Sequence, residues 1–575
     1  MKKKSTFSNS LEFNLRSERN LIISEMILNV LLISLAFADT FSKSGCYIEK
    51  GEYKVEKVQE NKEYLVVGTF NDTLFIHGWG FLHINSVQST SLEMDLQLAK
   101  CAGLVEGYLT SHRIRDHMNN QRASNVIEEW DKVTMEYINR NIAYSKQQAK
   151  DLSLSDPWGR ALGIVLAQTF GIREGAIMKE PGLDMTETDI FILNSDGDLS
   201  DLQNIAAHNL WPEMKGFKHG NHTRFSDAWY DVHHHCTGLI RLTPNYQDLF
   251  VAQDTWSSPT TMNRILKEYH IQYFDKAIGS KRILFSSYPG ITHSLDDFWL
   301  MDNGLAVIET TMHCWNQDQF EKCTPDSILT WIRVQIANLL SSKRGSGVQW
   351  AKNFIRENSG TYNNQYIIID YNKFKPGKRP QPGTLYAIEQ MPGYYGAGDR
   401  TEELIKNGYI PSVNAPFFND VYKYAGVGEK CEADNDWYFD YWKSDRMKLI
   451  QRDAPHINTY EDFKKFMRYN GYPNDPLVND PGQFILSRYD LRPKECIPSP
   501  TNPTILHCPS NFGGLDSKTI NYERAISLKI DAISSPQYEN QPAYEFGKKP
   551  FDTAIYNGLP EKWTFPWIVF NEDGF

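Results

Sequence analysis

Apolar and polar positions alternate in the first part of the chain beyond residue 38. This period of two runs through residues 64–67 and 74–77, and Asn71-Asp72 separates the two runs. Such alternation predicts half-buried strands, here an antiparallel pair. From residue 92 to 150 the spacing becomes helical, with apolar residues at Leu96, Leu98, Leu104, Leu109, Ile114, Val126 and Ile127. We therefore expect strands followed by at least two helices.

The apolar periodicity disappears between residues 209 and 235, where His, Gly, Asn and Lys are frequent. A polar stretch without periodicity indicates an exposed linker. At Cys236 the pattern changes abruptly to a strand over residues 236–242, which a turn at Pro244-Asn245 joins to a second strand over 248–252. These two strands predict a β-hairpin.

Further buried strands are predicted downstream, over residues 283–285, 306–308, 366–369 and 385–388. A helix is predicted over residues 325–342, because Pro325 stands at its start, apolar residues recur at helical spacing and Gly345 follows its end. Strands, then helices, then strands again favour a layered α+β fold over the regular alternation of a Rossmann-type fold.

The N-terminus has the pattern of a signal peptide, which we expect to comprise residues 1–38. Lys2, Lys3 and Lys4 lie upstream of an apolar run from Met26, which ends in the small-x-small motif Ala36-Phe37-Ala38. The run is about 13 residues long, against the ~20 that a membrane span needs, which argues against an anchor. The long polar segment before it leaves Met26 as an alternative start. No later stretch is apolar enough to span, so no integral membrane segment is expected after signal removal.

Composition adds limits on the class of protein. The chain is 41% hydrophobic and 23% charged, as folded proteins are, and its 575 residues allow one large core or two ordinary ones. A formal net charge of −11 argues against a nucleic-acid partner. Sequons at Asn71 and Asn221 predict glycosylation. Together with the signal peptide they indicate a secreted or lysosomal protein.

Eight cysteines could form disulfides in an oxidising compartment. Cys496 and Cys508 flank a Pro-rich loop, and Cys314 and Cys323 flank a short polar loop. We expect each of these two pairs to close locally. The sequence leaves four cysteines unassigned, namely Cys46, Cys101, Cys236 and Cys431.

Several enzyme motifs are missing from the sequence, among them G-x-S-x-G, H-E-x-x-H, the Walker loop and G-x-G-x-x-G. Residues 194–199 resemble a calcium loop but lack its Gly and Glu, so a polar turn is predicted. His233, His234 and His235 could offer imidazole ligands, but adjacent residues of a strand point to opposite faces and no second ligand pair has metal-site spacing. We expect neither a metal nor a cofactor.

Cys236 is the strongest candidate for chemistry, because it begins a strand directly after the predicted linker. Cleavage of the His235–Cys236 bond would give this residue an α-amino group, with a pKa near ~7.7 to 8, beside a thiol with a pKa near ~8.5. One residue would then hold both nucleophile and base. The alternative is an ordinary buried cysteine in the core.

The predicted hairpin suggests which side chains surround Cys236. A turn centred between Pro244 and Asn245 places position 236 opposite position 253, with Cβ atoms about 5 Å apart. Gln253 is thus a candidate to orient the nucleophile, and Trp256 to form a wall of the pocket. The alternatives are a polar edge residue and a core aromatic residue.

Several segments together resemble the phospholipase B-like (laminin ancestor) proteins, and the resemblance spans most of the chain beyond residue 38. The segments that carry it are Ala102 to Thr110, Asn194 to Leu199, Cys236 to Leu242, Asp248 to Trp256, Met262 to Ile265, Ser286 to Gly290, Asp296 to Phe298, Glu309 to Thr311, Asn358 to Gln365 and Leu385 to Gly393.

This resemblance implies an N-terminal nucleophile hydrolase fold, a four-layer αββα sandwich of two antiparallel sheets. It also implies self-cleavage between His235 and Cys236, with the fragments 39–208 and 236–575 forming one folded unit around the processed linker. The implied site comprises the nucleophile Cys236, the pocket residue Trp256, and Thr311, Asn363 and Asn364, with Asn364 as an oxyanion donor.

The resemblance further implies hydrolysis of acyl esters in phospholipids, with transient contact at a membrane surface. One departure is clear, since this chain has Gln253 where relatives of this kind usually carry His, and Asp254 where they carry Asn. Glutamine forms hydrogen bonds but takes up no proton. Two alternatives to a phospholipase therefore remain, an amidase acting on N-acyl lipids or related amides and a catalytically silent lipid-binding glycoprotein.

Overall fold

Eleven strands form one sheet and six form another in a computed structural model of the chain. The structure describes residues 40–123, 132–153, 155–208, 210–211, 236–548 and 554–571. The expected signal peptide, the sequon at Asn221 and the residues His233 to His235 lie outside the described residues.

The strands are, in chain order, β1 (Phe41–Glu49), β2 (Glu52–Lys57), β3 (Val66–Asn71), β4 (Gly80–Ser86), β5 (Thr237–Leu242), β6 (Leu249–Asp254), β7 (Trp256–Ser257), β8 (Ile265–His270), β9 (Arg282–Ser287), β10 (Phe298–Met301), β11 (Leu305–Thr311), β12 (Asn364–Asp370), β13 (Leu385–Met391), β14 (Tyr394–Asp399), β15 (Tyr409–Ser412), β16 (Ile497–Pro498), β17 (Leu506–His507), β18 (Gly513–Gly514), β19 (Asp516–Ile520), β20 (Ile530–Ser534), β21 (Tyr544–Glu545), β22 (Lys562–Trp563) and β23 (Ile568–Phe570).

The helices are α1 (Leu74–His77), α2 (Leu92–Ala123), α3 (Lys132–Leu152), α4 (Pro157–Lys179), α5 (Glu187–Asn194), α6 (Asp196–Ala207), α7 (Thr330–Leu340), α8 (Gly347–Ile355), α9 (Thr401–Asn407), α10 (Asn419–Tyr424), α11 (Val427–Asp434), α12 (Asp445–Asp453), α13 (Tyr460–Met467) and α14 (Tyr522–Ile526).

The large sheet runs in the order β14-β13-β12-β11-β10-β9-β8-β4-β3-β1-β2. Its neighbouring strands are antiparallel except β4 and β8, which pair in parallel from Gly80 with Ile265 to Asn85 with His270. Strands β1 to β4 precede Cys236 and strands β8 to β14 follow it, so this parallel pair is where the two predicted fragments meet within the sheet. The smaller sheet is antiparallel, in the order β15-β5-β6-β19-β20-β23.

Adjacent residues of one strand belong to different hydrophobic clusters, because successive side chains leave a strand on opposite faces. Ile308 and Val251 belong to a cluster that contains side chains of both sheets. Val307, one residue before Ile308, packs instead with residues of α2, α4 and α7. Phe250, one residue before Val251, lies 5.3 Å from Phe463 of α13, measured between ring centroids. Side chains on both faces of β11 and of β6 are thus buried, which explains the continuous apolar runs of these strands in the sequence.

Most of the predicted elements are present. Strands β9, β11, β12 and β13 contain the four predicted downstream segments, β5 and β6 form the predicted hairpin, and α2 and α3 occupy the region of helical spacing. The mixture of helices with large antiparallel sheets agrees with the fold class expected from the pattern.

Residues 74–77 form a helical turn, so the predicted second strand of the N-terminal pair is wrong. Leu74 is buried, whereas Phe75 and Ile76 are exposed, so the side chains do not alternate between a buried and an exposed face. Gly78 has a φ of 75° and its backbone N–H donates to the Leu74 carbonyl, which ends the turn. Strand β3 pairs instead with β4 and with β1.

Two predicted boundaries also differ. The helix predicted over 325–342 begins at Thr330, because Leu329 has an extended backbone and Ile328 pairs with Asn358 in a β-bridge. In the segment predicted as a polar turn, Ser195 alone separates α5 from α6, which already begins at Asp196. Helical geometry therefore continues through most of that segment.

The predicted linker of 209–235 is not exposed at its N-terminal end, where Trp211 is buried. Trp211 is only 2% exposed, its ring lies 5.4 Å from that of Tyr137, and the guanidinium of Arg140 lies over it at 5.3 Å. Burial of a large aromatic side chain fixes this part of the chain to the core. Residue 209 and residues 212–235 lie outside the described part of the chain.

The disulfides match one of the two predicted pairs. Cys496 and Cys508 are bonded, as predicted, and Cys46 of β1 is bonded to Cys101 of α2. Cys314 and Cys323 are free, so the second predicted pair is wrong. A short helical segment, Gln317–Lys322, separates them. The Cys314 thiol donates to the Asn316 carbonyl, whereas the Cys323 sulfur lies against Gly360.

Helix α4 is long and apolar enough to cross a membrane by length and composition alone, but 61% of its apolar window is buried inside the protein. It contacts α2, α3 and α7. Burial against other helices is typical of a core helix in a globular fold.

Candidate active site

Cys236 is held by its backbone on both sides at the entry to β5. Its N–H donates to Asn414 Oδ1 at 3.2 Å, and its carbonyl accepts a hydrogen bond from Arg446 Nη1 at 2.6 Å. Strand β5, which follows it, is buried along its whole length because it lies between β6 and β15. Only 5% of Cys236 is exposed, so the residue is fixed in position as well as buried.

Three of the predicted site residues line one pocket, which has a volume of about 110 Å³. They are Cys236, Trp256 and Thr311. Residues from before the predicted cleavage site also line it, Gln121 of α2 and Asp196 of α6 among them. Both predicted fragments therefore contribute to the pocket.

The Cys236 thiol is protonated at neutral pH in the uncleaved chain. Burial raises its pKa to about 12 and the Asp297 carboxylate adds to the rise, while the backbone N–H of Trp256 and the ammonium group of Lys518 act in the opposite direction. A thiol in this state is a weak nucleophile, because the thiolate is the reactive form. A base close to the sulfur is needed to activate it.

Trp256 forms a wall of the pocket, as predicted, and is itself fixed by stacking. The Arg446 guanidinium lies over its ring at 4.5 Å, and Tyr489 meets it edge-on with centroids 6.4 Å apart. Its backbone pairs with Gly514 in the short β7–β18 ladder. Arg446 therefore links the pocket wall to the backbone of Cys236.

The predicted pairing of Cys236 with Gln253 is wrong, because the centre of the turn lies one residue later in the chain than predicted. Gly238 lies opposite Gln253, and Thr237 opposite Asp254. The turn is longer than expected because Asn245 and Tyr246 both take left-handed backbone conformations, with φ of 56° and 58°. A shifted turn centre moves every cross-strand pair along the hairpin.

Gln253 is fully buried and is not one of the residues that line the pocket. Its Oε1 accepts a hydrogen bond from the Thr255 hydroxyl at 3.3 Å, and Thr255 does line the pocket. Its Nε2 has no hydrogen-bond partner among the described residues. Gln253 thus reaches the pocket through Thr255.

Thr311, Asn363 and Asn364 lie close together but face different partners. Thr311 pairs with Asn364 across β11 and β12, and its hydroxyl donates to Glu309 at 3.3 Å. Asn364 donates to the Tyr366 hydroxyl at 3.1 Å. Asn363 donates to the Gly360 carbonyl at 2.9 Å and to Asp201 at 3.2 Å. Neither asparagine is among the residues that line the pocket, and the oxyanion role of Asn364 stays a prediction.

Sequence reasoning missed the two residues that hold Cys236. Asn414 accepts from the Cys236 N–H and donates to the Thr311 carbonyl at 2.7 Å, in a left-handed conformation with φ of 65°. Arg446 also donates to Asn414 Oδ1 at 2.8 Å. Asn before Ala-Pro is a recognisable turn signal, but these residues follow Cys236 by 178 and 210 positions. No local pattern connects such distant positions.

A buried charge cluster lies behind the pocket. Arg264 of the loop before β8 pairs with Asp296 and with Asp516, and Lys518 Nζ donates to Asp516 at 2.8 Å and to the Thr255 hydroxyl at 2.6 Å. These groups lie on β19 of the small sheet and beside strands of the large one. They tie the two sheets together directly behind Thr255.

Metal ligation finds no support in the part of the chain that the structure describes, where no group of three or more His, Cys, Asp or Glu side chains is placed to hold an ion. The chemistry available in the pocket is that of a thiol, hydroxyls, carboxyls and backbone donors.

Comparisons with known proteins place relatives along most of the chain. The model of the phospholipase B family matches residues 66–570. Phospholipase B-like protein B of Dictyostelium discoideum is 35% identical over 518 residues, covering 88% of this chain and 85% of that protein. Phospholipase B-like 1 of Bos taurus is 32% identical over 566 residues (94% and 96% coverage), and Phospholipase B of Crotalus adamanteus is 32% identical over 510 residues (87% of each).

Among solved structures, a mutant of the conjugated bile acid hydrolase from Clostridium perfringens superposes with a TM-score of 0.27 at 11% identity, covering 53% of this chain and 90% of that one. A likeness this low carries no argument. The family match and the identities rest on nearly the whole described sequence, and on that basis the chain belongs to the phospholipase B family.

Proposed function

We propose that this protein hydrolyses acyl esters of phospholipids with the Cys236 thiol, which cleavage of the His235–Cys236 bond turns into an N-terminal nucleophile. One observation carries the proposal. The backbone of Cys236 is fixed from both sides, by Asn414 and Arg446, in a pocket that both fragments line. Every buried peptide group needs a hydrogen-bond partner, but here both partners are side chains from distant parts of the chain and the residue they hold lines a pocket.

Maturation would proceed as an intramolecular attack. The Cys236 sulfur attacks the carbonyl carbon of His235, the C–N bond breaks as a thioester forms, and the nitrogen takes up the thiol proton to become the α-amine. Water then hydrolyses the thioester, which leaves a carboxylate on His235 and a free thiol on Cys236. The hydrogen bond from Cys236 N–H to Asn414 would pass to the new amine.

Catalysis would use the same atoms. The neutral α-amine takes the thiol proton, the thiolate attacks the ester carbonyl, and an acyl thioester forms as the alcohol leaves; water then releases the fatty acid. Arg446 shares Asn414 Oδ1 with the Cys236 nitrogen. A cation so close lowers the pKa of an amine, which keeps it neutral at a more acidic pH.

The finer architecture belongs to the same proposal. We infer the four-layer order of helices, two antiparallel sheets and helices that is typical of N-terminal nucleophile hydrolases. Its support is the cluster with side chains of both sheets and the helix contacts on the outer faces at Val307 and Phe250. In that arrangement the nucleophile lies at the end of a strand of an inner layer, as Cys236 does.

We also propose a secretory route and transient contact with membrane surfaces that carry the substrate. The two disulfides support the route, since such bonds persist in oxidising compartments. Asn71 is half-buried at the end of β3, where a glycan is proposed. Intact mass of secreted protein tests these points, because retention of Met1 contradicts signal removal and an unmodified Asn71 contradicts the glycan.

The decisive experiment compares Cys236→Ala with Cys431→Ala, which removes another buried free thiol outside the pocket. The first variant should be folded, uncleaved and inactive on phosphatidylcholine vesicles. The second should be cleaved before Cys236, as N-terminal sequencing would show, and should hydrolyse lipid. Cleavage at the same bond in the Cys236→Ala protein, free of other proteases, would refute self-processing.

Matched ester and amide substrates with the same acyl chain would separate the phospholipase from the amidase, since the same thiol and amine can cleave either bond. We expect the ester to be hydrolysed faster. Hydrolysis of neither substrate by correctly cleaved protein would instead favour the silent lipid-binding role.

A further inference from the structure

Asp297 and Glu309 form a buried carboxyl pair beside Cys236. They are 1% and 0% exposed, and the Glu309 N–H donates to the Asp297 carbonyl at 3.2 Å. Asp297 lines the same pocket as Cys236. Its backbone is left-handed, with φ of 59°, a conformation that aspartate and asparagine adopt more readily than most residues.

One oxygen of each carboxyl group has a donor. The Tyr362 hydroxyl donates to Asp297 Oδ2 at 3.2 Å, and the Thr311 hydroxyl donates to Glu309 Oε1 at 3.3 Å. Asp297 Oδ1 and Glu309 Oε2 are buried without a donor among the described residues, while the two side chains lie within hydrogen-bonding reach of each other. Two carboxyl groups can meet in this way only if at least one of them is protonated.

Among the described residues, no cationic side chain neutralises the carboxyl pair. Lys518 acts electrostatically on Asp297, but its ammonium group is already bonded to Asp516 and Thr255. The other ionisable groups that face the pair are Asp296 from its own loop, Tyr362 and Tyr366 from β12 and the turn before it, and the Cys236 thiol. None of these brings a positive charge in the uncleaved chain, where a proton held by the pair is what reduces the repulsion. Cleavage adds the α-amine of Cys236, which is neutral whenever it acts as the base.

We propose that Asp297 and Glu309 are a positioning pair, whose shared protons set the charge beside the Cys236 nucleophile. The inference rests on the proposed role of Cys236 as nucleophile. The pair touches neither substrate nor the reacting bond; it acts through the sulfur by adding or removing negative charge next to it.

The direction of the effect follows from burial and from the pairing. Burial raises the pKa of Asp297 to about 7, and burial together with the Asp297 charge raises the pKa of Glu309 well above its ordinary value. Below pH 7 the pair is therefore uncharged, and above it the pair carries negative charge. Negative charge beside a thiol opposes formation of the thiolate. Below pH 7 the uncharged pair therefore lets the Cys236 thiol ionise more readily than a charged pair would.

Alkylation of Cys236 tests this without requiring any lipid hydrolysis. Iodoacetamide reacts with the thiolate with loss of iodide, and the mass of the peptide that begins at Cys236 separates it from the other free cysteines. The cleaved full-length protein is treated between pH 5 and 9, and each rate is divided by that of a small thiol at the same pH.

Two variants should act at opposite ends of this range. In Glu309→Gln the amide donates to Asp297 and lowers its pKa against the effect of burial, so alkylation at pH 5 to 6 should fall about fivefold and approach the parent rate near pH 8. In Asp297→Asn with Glu309→Gln the pair is uncharged throughout, so alkylation above pH 8 should rise about tenfold. Asparagine tolerates the left-handed backbone at 297.

The matched control is Glu389→Gln, which removes another fully buried carboxyl, one whose pKa burial raises to about 8 and which does not line the pocket. It should change alkylation less than about threefold, because it does not touch the pair. Equal profiles for the parent and both pair variants would overturn the proposal, as would a control effect as large as theirs. If the double variant fails to fold, Glu309→Gln alone decides the matter at pH 5 to 6.

Lipid hydrolysis by the same samples separates this proposal from the proposed function. Altered alkylation profiles with no hydrolysis by the parent would contradict the phospholipase activity and leave the pair supported. Lipid hydrolysis by the parent, with alkylation profiles that the variants do not alter, would support the phospholipase activity and contradict the proposed pair.

Discussion

The guanidinium of Arg446 donates to the backbone carbonyl of Cys236 at 2.6 Å while it stacks on the Trp256 ring at 4.5 Å. One side chain therefore fixes both the nucleophile and the wall of its pocket. It is 4% exposed and also donates to the Val413 carbonyl at 3.0 Å, so little freedom remains to it.

Arg446→Lys should lower kcat/KM by about 100-fold, because displacement of a reacting atom by about 1 Å lowers the rate by about that factor. Lysine keeps the charge but cannot bond Cys236, Asn414 and Val413 together. The control is Arg241→Lys, since Arg241 is also 4% exposed and donates to the carbonyls of Ile457, Gly408 and Pro455. Both variants should lose about 1–3 kcal/mol of stability. Similar activity losses in both would contradict a role for Arg446 at the site.

Gln253→His should change kcat/KM by less than about tenfold, because a fully buried imidazole stays neutral and Gln253 reaches the pocket only through Thr255. Thr255→Val should have the larger effect, since that hydroxyl lines the pocket and accepts from Lys518. Steady-state kinetics on one lipid substrate compares the two. A 100-fold gain for the histidine variant would mean that the parent lacks an essential base, as the silent lipid-binding role requires.

Complete alkylation of unfolded protein should label four cysteines, Cys236, Cys314, Cys323 and Cys431, and leave two disulfides intact. The disulfide Cys46–Cys101 closes a loop with a sequence separation of 55, so replacing both cysteines by alanine should lower the free energy of unfolding by about 4 kcal/mol. For Cys496–Cys508, with a separation of 12, the loss should be about 3 kcal/mol. Peptide mass analysis that found Cys314 linked to Cys323 would contradict the structure.

His507 should make the fold less stable at alkaline pH. Burial opposes its charge, but hydrogen bonds with Asp436 and Asp480 outweigh burial and raise its pKa from 6.5 to about 9. A pKa that folding raises adds stability that is complete below pH 6.5 and is lost as the pH rises through 9. The free energy of unfolding should therefore fall by about 3 kcal/mol across that range.

His507→Gln should remove most of this pH dependence in chemical unfolding measured at pH 6 and pH 9.5. His112→Gln is the control, because the His112 side chain that pairs with Asp72 is 43% exposed and such pairs contribute less than about 1 kcal/mol. An unchanged pH dependence in His507→Gln would show that other groups cause it.

The sequence predicts what local spacing determines and misses what distant packing determines. The strand after Cys236 and its hairpin partner follow from apolar runs on either side of Pro244-Asn245. Their register does not, because two consecutive left-handed residues, Asn245 and Tyr246, lengthen the turn, and the Tyr246 carbonyl accepts a hydrogen bond from the distant Gly377 N–H.

The same division applies to the site. Cys236, Trp256 and Thr311 lie within recognisable segments, whereas Arg446 reaches Cys236 only because α12 packs behind the small sheet. The bond between Cys46 and Cys101 likewise depends on α2 crossing β1, which no spacing of cysteines indicates.

Because the parallel pair β4–β8 joins the two predicted fragments, the cleaved protein would have folded as one chain before it became two. Each disulfide lies within one predicted fragment, so after cleavage the two chains would be held by this ladder and by noncovalent packing alone. Assembly begins as a unimolecular event in one chain, but any later loss of structure releases two molecules whose return depends on their concentration. Unfolding would thus be reversible before processing and effectively irreversible after it. The rate of unfolding would then set the lifetime of the folded protein.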